Sequence, residues 1–599
     1  MRMTSRAGAD RYPLGGMPAA TGAFAALQAV AAWHAGVFEY PLDDVYIHLA
    51  MAEKIAQGTY GVNLGDPASA SSSILYPFLL LPFPGTEAQR LLPLFWNILA
   101  VAGAGWVWGL IAAAARLAGA AGMAIVVAGP VFLNIPGVGY TGMEAAPHLL
   151  ASLVVVLGLW LALNRKGAAW WLVGAAIAAP LLRYEGLALS LAAAATLWLW
   201  GHRRAAGVIA CGALGAVIGF SVFFLYLGLD PLPGSILAKI GTLDPQGGIG
   251  SRLLVGLLAN LIKPAGAILA GLVVAVVATA VAIPALRRGP AGAIVATVGV
   301  AASAHLVFGQ VGWMHRYEPY IIVSLLAAFL LAGSAAGFRA ARIAQGAALG
   351  TTAAAAIAYG PTLWGAYVWN PRAIHLQQAQ MARFAQEYLK APVAVNDLGR
   401  VAWGNPEYVL DISGARLCRG STDPLRRGPA GGRLGRTACR AARRAGGDDL
   451  RHLVRLGRGP GLGAGGNAFG HPAKRRDRRL ERGDLRDRPG LRGGIAHAAR
   501  GLRADLARGR RSRPGGRSGS TRGQGATPDH GERLASRRCA GRAPRHAPWR
   551  RANPGGRVGA APGQGAARPV LGRADRFADR AVRGRVGCDP GGCGAGRRR

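Results

Sequence analysis

Two adjacent carboxylates, Asp43 and Asp44, open the segment "LDDVYIHLAMAEKIA", and His48 follows one helical turn after Asp44. An ionised carboxylate in reach of a hydroxyl can take its proton, and an Asp–His pair one turn apart can share a proton or hold a metal ion. The same residues have a plainer use. An Asp at a helix start satisfies free N–H groups and complements the helix dipole. A single Asp reads as a cap; a second one against an apolar run asks for more than capping. His48 reads as the hydrogen-bonded partner of Asp44 rather than as a metal ligand. Three further basic residues, Arg183, Lys239 and Arg316, stand beside apolar runs, and Glu185 and Glu318 follow two residues after the two arginines. At that range Arg183–Glu185 and Arg316–Glu318 read as ion pairs.

The elements that must position these groups are membrane spans. Residues 1–15 form a short basic N-terminus, and from 16 to 362 the chain is dominated by Ala, Leu, Val and Gly in apolar runs. Runs of roughly 17–25 apolar residues have the length that crosses a bilayer. The pattern predicts eleven: 16–38, 88–115, 119–136, 145–163, 168–182, 185–200, 205–229, 264–286, 291–309, 319–338 and 343–362. The fold class is therefore mainly α and polytopic. The two runs flanking Arg183 are short enough to be one kinked helix. The first run lacks a small-residue cleavage site and reads as a retained anchor. "ILYPFLLLPFPG" (Ile74–Gly85) is too short and Pro-rich to cross, so a re-entrant or interfacial placement suits it. Within the loop over 39–87, Ile47, Met51 and Ile55 recur at i, i+4 and i+8, which predicts an amphipathic helix lying in the outer interface.

Connectors between these runs fall into two sets. One holds Arg116, Arg165/Lys166, Arg203/Arg204, Arg287/Arg288 and Arg339/Arg342, with almost no acid; the other holds Glu39, Asp43, Asp44, Glu144, Glu185, Asp230 and Glu318. Basic loops stay cytoplasmic, which places the acidic set, and every group named above, on the outer face.

Residues 363–415 turn soluble. "RAIHLQQAQMARFAQEYLK" has a helical period and "APVAVNDLGRVAW" reads as strand then turn, the start of an outer α/β domain. Beyond it the composition changes abruptly. Residues 1–415 carry 23 Lys+Arg against 16 Asp+Glu, while 416–599 carry 46 against 13, so most of the net charge of +40 lies in the last third. That tail is Arg, Gly, Ala and Pro with one lysine, Lys474, and three aromatics, Phe469, Trp549 and Phe577. Nucleic-acid-binding tails interleave bases with aromatics or short repeats, and none is present, so no nucleic-acid partner is expected. With so few large apolar residues the tail reads as disordered or as an out-of-frame translation of GC-rich DNA. Five of the six cysteines lie in it without metal-ligand or disulfide spacing.

"LDDVYIHLAMAEKIAQGTYGVNLGDPASASSSILYPFLL" (Leu42–Leu80) resembles the first outer loop of polytopic GT-C glycosyltransferases, nearest the branch of mycobacterial-type terminal arabinofuranosyltransferases and family 39-like enzymes. Ser71, Ser72 and Ser73 match its hydroxyl run, although Ile74 stands where Pro is commoner. "TGMEAA" (Thr141–Ala146), "RYEG" (Arg183–Gly186, Tyr184 for Pro), "PGSILAK" (Pro233–Lys239, Gly234 for Asn), "HRYEPY" (His315–Tyr320) and "NDLG" (Asn396–Gly399) follow in the family's order. The resemblance covers about residues 20–414.

What it implies is transfer of a sugar from a polyprenyl-phosphate carrier to a glycan or lipid acceptor on the outer face of a bacterial inner membrane. Asp44 would be the general base and Asp43 a second carboxylate orienting substrate hydroxyls. Arg183, Lys239 and Arg316 would hold the carrier phosphate, and Glu144, Glu185, His48 and Ser72 would shape the sugar site. No cofactor is fixed, a divalent metal stays open, and the donor is the lipid-linked sugar itself. The competing class is a transporter or flippase, which also uses intramembrane charge and broken helices; here the ionisable residues gather in outer loops instead. One expectation is checked on DNA alone: another frame downstream of codon 414 should stay open for about a hundred codons, the size of a small domain. It should encode alternating apolar and polar strands with ordinary Lys, Tyr and Ile usage, and stop codons in both other frames would show the tail to be a genuine product.

Overall fold

The computed structural model describes residues 12–165, 167–233 and 249–411. These are mainly helical, and seven helices are long and apolar enough to cross a membrane. In chain order α1 is Tyr12–Ala35, α2 Asp44–Ala56, α3 Tyr76–Leu79, α4 Glu87–Ala114, α5 Gly119–Phe132 and α6 Ile135–Tyr140. Then come α7 Ala145–Asn164, α8 Trp170–Leu182, α9 Gly186–Leu199, α10 Arg203–Tyr226, α11 Ile249–Ile262, α12 Pro264–Ala282, α13 Gly289–Phe308, α14 Pro319–Ala336 and α15 Phe338–Thr362. The seven are α4, α5 with α6, α7, α10, α12, α13 and α14. At the other four positions expected to cross, α8 and α9 have only 13 and 14 residues, and α1 and α15, at 24 and 25, fall outside the apolar set. The tail 416–599 lies outside the described residues.

Two helices form the centre. Nearly every side chain of α14 from Pro319 to Gly333 is buried, and α7 is buried over most of its length. They pack against each other and against α13, α15, α4 and α8. Small residues allow the closest approach elsewhere: α1 lies on α4 with Gly16 facing Gly105, where a Cβ on Gly105 would sit 2.6 Å from the Gly16 carbonyl oxygen.

Helices α8 and α9 form an antiparallel hairpin rather than one kinked helix, with extended Arg183 (φ −149°, ψ 133°) at its tip. The sequence explains the break. Pro180 has no N–H, so the Ala176 carbonyl loses its helical partner; the Ser190 hydroxyl of α9 donates to it at 2.6 Å. One turn later the Leu181 carbonyl accepts the N–H groups of Ile74 and Leu75 at 3.0 and 2.9 Å, so the 39–87 loop ends the helix. At 1.5 Å per residue each arm is about 20 Å long, roughly two thirds of a ~30 Å hydrocarbon core. Residues 74–85 cross nothing: α3 is four residues, followed by bends with Phe83 exposed.

The loop over 39–87 and residues 363–411 share one hydrophobic core. Tyr40, Tyr46, Met51 and Tyr76 pack with Ile374, Leu398, Val401 and Trp403. Helices α16 (Val368–Leu376) and α17 (Gln378–Arg383), with π-helical turns at Leu363–Tyr367 and Phe384–Leu389, lead into β1 (Val393–Val395), α18 (Gly399–Ala402) and β2 (Val409–Asp411). The strands pair in parallel, Val393 opposite Val409 and Val395 opposite Asp411. Asn63 extends this sheet: its side chain exchanges two hydrogen bonds with the Val409 backbone, at 2.9 and 2.8 Å. This burial corrects the expected amphipathic helix. Residues 45, 46 and 48–54 of α2 are all buried, because the bundle covers one side and α18 the other.

Exposed tryptophans mark both ends of the bundle: Trp170 and Trp198 beside the basic connectors, Trp33, Trp313 and Trp364 beside the acidic ones. Such rings favour membrane–water interfaces. In a cysteine-free background, a cysteine replacing exposed Gln57 should therefore react with an impermeant maleimide on intact cells. One replacing exposed Arg288 should react only after permeabilisation; the opposite pattern would invert the orientation.

Candidate functional site

The two buried helices end at the same place. Glu144 immediately precedes α7, and the 309–318 loop enters α14. Glu144 is fully buried, and its Oε1 accepts Arg183 Nη1 at 2.8 Å and the Ser72 hydroxyl at 3.0 Å. Its Oε2 lies 3.4 Å from His48 Nε2. Burial alone would push this carboxyl up, but the His48 hydrogen bond and the charges of Arg183, His48 and Arg316 outweigh it and hold Glu144 below the usual carboxylate range. Arg183 also donates to Glu185 Oε1 at 2.9 Å.

His48 therefore does not pair with Asp44. Its Nδ1 meets Ser71 Oγ at 3.1 Å, and Ser71 gives its own proton to the Ser73 carbonyl at 2.7 Å, so both ring nitrogens face acceptors. In α2 the positions 44 and 48 lie on one face, but Ser71 and Glu144 fill the space beside the ring.

Asp44 instead pairs with Arg316, Oδ2 to Nη2 at 2.6 Å, its side chain 39 % exposed against 5 % for the arginine. This also replaces the expected Arg316–Glu318 pair. The Tyr317 ring carries both guanidinium groups, with Arg183 Cζ at 4.8 Å and Arg316 Cζ at 5.2 Å from its centroid. Arg316 Nε and Nη1 and Arg183 Nε are buried and have no hydrogen-bond partner among the described residues. Three guanidinium nitrogens thus face no acceptor among the described residues beside a half-exposed carboxylate.

Asp43, one residue earlier, has a different place. It makes no side-chain cap on α2; its Oδ2 and Oδ1 accept the Gly399 and Arg400 N–H groups, at 2.7 and 2.8 Å. It caps α18, a helix 356 residues further along the chain. Burial pushes its carboxyl up to about 7, against the pull of those two backbone donors. Gly399 is required there, since a Cβ would meet Asp43 Oδ2 at 2.8 Å. The buried pair Glu53–Lys54 repeats the clamp, with the Gly404 N–H on Glu53 Oε2 at 2.8 Å and Lys54 Nζ on the Asn405 carbonyl at 3.2 Å.

The structure thus brings together Asp44, Arg316, Tyr317, Arg183, Glu185, Glu144, His48 and Ser72. Lys239 lies outside the described residues. Sequence reasoning gave Ser71 and Tyr317 no role of their own and missed the approach to Arg316: Gly312, Trp313, Met314 and His315 all have positive φ, 95°, 49°, 59° and 47°. For the three that are not glycine this costs on the order of 1–2 kcal/mol each. Only Gly312 hinted at it. Among the described residues no group of three or more His, Cys, Asp or Glu is arranged to hold a metal ion.

Comparison with protein-family profiles, with curated proteins and with solved structures returns no match.

A buried ion pair is costly to break from one side. Arg183→Met should therefore destabilise the detergent-solubilised protein by about 3–5 kcal/mol by leaving Glu144 charged without its guanidinium partner. Adding Glu144→Leu to that variant should recover most of the lost melting temperature; additive losses would show that the pair is not coupled.

Proposed function

We propose that this chain is a GT-C-type glycosyltransferase with eleven membrane crossings, working at the outer face of a bacterial inner membrane. Its donor is a polyprenyl-phosphate sugar and its acceptor a hydroxyl of a glycan or lipid. The observation that carries this reading is the exposed Asp44 carboxylate fixed against Arg316, beside buried guanidinium N–H groups that face no protein acceptor.

The chemistry needs these groups on opposite sides of one carbon. The acceptor oxygen forms its bond to the anomeric carbon as the bond from that carbon to the carrier phosphate oxygen breaks. Asp44 takes the acceptor's proton, which raises the nucleophilicity of a poor nucleophile. The leaving lipid phosphate gathers negative charge, and the free N–H donors of Arg316 and Arg183 can receive it in a site shielded from water. Burial acts against the charge on both arginines, but neighbouring carboxylates more than restore it, Asp44 for Arg316 and Glu185 with Glu144 for Arg183. Glu185, partly exposed beside Arg183, would meet sugar hydroxyls. Asp43 supports the site through the backbone of α18 rather than by touching substrate.

Asp44→Asn keeps the size of the side chain and a hydrogen-bond acceptor for Arg316 but loses the base. In the full chain reconstituted with a polyprenyl-phosphate sugar, it should lower transfer about 10²–10⁴-fold, the usual effect of a positioned general base, while the protein stays folded with a melting temperature lowered only by the lost charge opposite Arg316. Near-normal transfer would remove Asp44 from the chemistry.

A further inference from the structure

The run of left-handed residues before Arg316 has no place in the reading so far, yet it fixes where that arginine points. We propose that Glu318 and Asn134 are positioning residues: they hold the turn Gly312–His315 in its left-handed form and so aim Arg316 at Asp44. What Arg316 does there rests on the proposed function; the holding of the turn does not.

Four consecutive positive φ values are not a conformation that L-residues keep unaided. The restraints come from three directions. Glu318, fully buried, brackets the turn with one carboxylate: Oε2 accepts the Gly312 N–H at 2.8 Å and Oε1 meets His315 Nδ1 at 3.1 Å. From the α5–α6 junction, Asn134 Nδ2 donates to the His315 carbonyl at 3.2 Å and to the Tyr367 hydroxyl at 3.0 Å. That hydroxyl, in the π-helical turn after α15, donates to the Met314 carbonyl at 2.6 Å. Asn134 is itself left-handed, φ 68°, a conformation Asn tolerates better than most residues.

The arrangement also divides the charges. Glu318 sits two residues from Arg316 and would be its nearest partner by sequence. Because both its oxygens are used by the turn, Arg316 is left for Asp44, and two of its nitrogens are left with no acceptor among the described residues. Loss of Glu318 therefore loosens the turn and, by removing a restraint, displaces the guanidinium from Asp44.

Glycine separates this account from simple loss of packing. Trp313 is 65 % exposed, so removing its side chain sacrifices little, and only glycine relieves its φ of 49°. The experiment uses the full chain in detergent, with two readouts: hydrogen exchange of residues 309–318 and binding of a short-chain isoprenyl phosphate. Glu318→Ala should accelerate exchange and weaken phosphate binding about tenfold or more, the scale of one lost charge-assisted contact. Glu318→Gln should retain most of both, since an amide can accept from Gly312 and donate to a neutral His315. Asn134→Ala should follow Glu318→Ala. Adding Trp313→Gly to Glu318→Ala should restore slow exchange and binding, whereas Trp313→Ala should not. Unchanged exchange in Glu318→Ala, or equal rescue by alanine and glycine, overturns the proposal. If exchange behaves as expected while the unsubstituted protein fails to bind isoprenyl phosphate, the positioning of the turn stands and the glycosyl-transfer reading falls.

Discussion

A carboxylate with no exposed surface must be neutralised from every side it presents, and Glu144 imposes that demand on four segments at once. It takes Arg183 from the tip of the α8–α9 hairpin, Ser72 from the outer loop, and His48 from α2, while its own backbone starts α7. Withdrawing Arg183 would leave charge unpaired at low dielectric, and withdrawing Ser72 would leave a buried carboxylate oxygen short of a donor. The relative placement of the hairpin, the loop and the central helix follows from one side chain. Arg183, fixed this way, fixes Tyr317 through ring contact, and Tyr317 carries Arg316 beside it.

The doubled aspartate shows how neighbours divide tasks. Successive side chains on a helix diverge by about 100°, so where Asp44 faces water and Arg316, Asp43 turns into the protein and meets the backbone of α18. The end of the bundle that carries these acids is consequently one object. Asp43, Glu53, Lys54 and Asn63 of the first loop all bind main-chain groups between 399 and 409, and main-chain partners constrain position more tightly than mobile side chains do. The 363–411 segment is continuous with the site.

Much of this architecture was legible in sequence. Apolar runs located most of the helices within a few residues, because run length and a polar boundary are local properties, but they did not show α11, in a stretch that reads as a connector. The pairing of charges was not legible. His48 looked like a partner for Asp44 and Arg316 for Glu318, since proximity in sequence is all that a string offers; the actual partners are Glu144 and Asp44, brought by other elements. Helix α2 carries a one-sided apolar pattern at 47, 51 and 55, yet its other face is covered too, and the residues that cover it begin more than three hundred positions later. The left-handed approach to Arg316 left almost no trace, since Trp, Met and His seldom adopt it.

The α8–α9 hairpin carries a mechanical implication. With arms about 20 Å long, it is mismatched to a bilayer whose hydrocarbon is ~30 Å thick, and its tip holds a guanidinium between two carboxylates. Lipid beside a short, charge-tipped hairpin adjusts by thinning, drawing headgroups and water inward. In the orientation proposed above, the outer leaflet next to Arg183 would then be dimpled, and an anionic headgroup diffusing in that leaflet would approach the arginines sideways, at their own depth, without leaving the membrane.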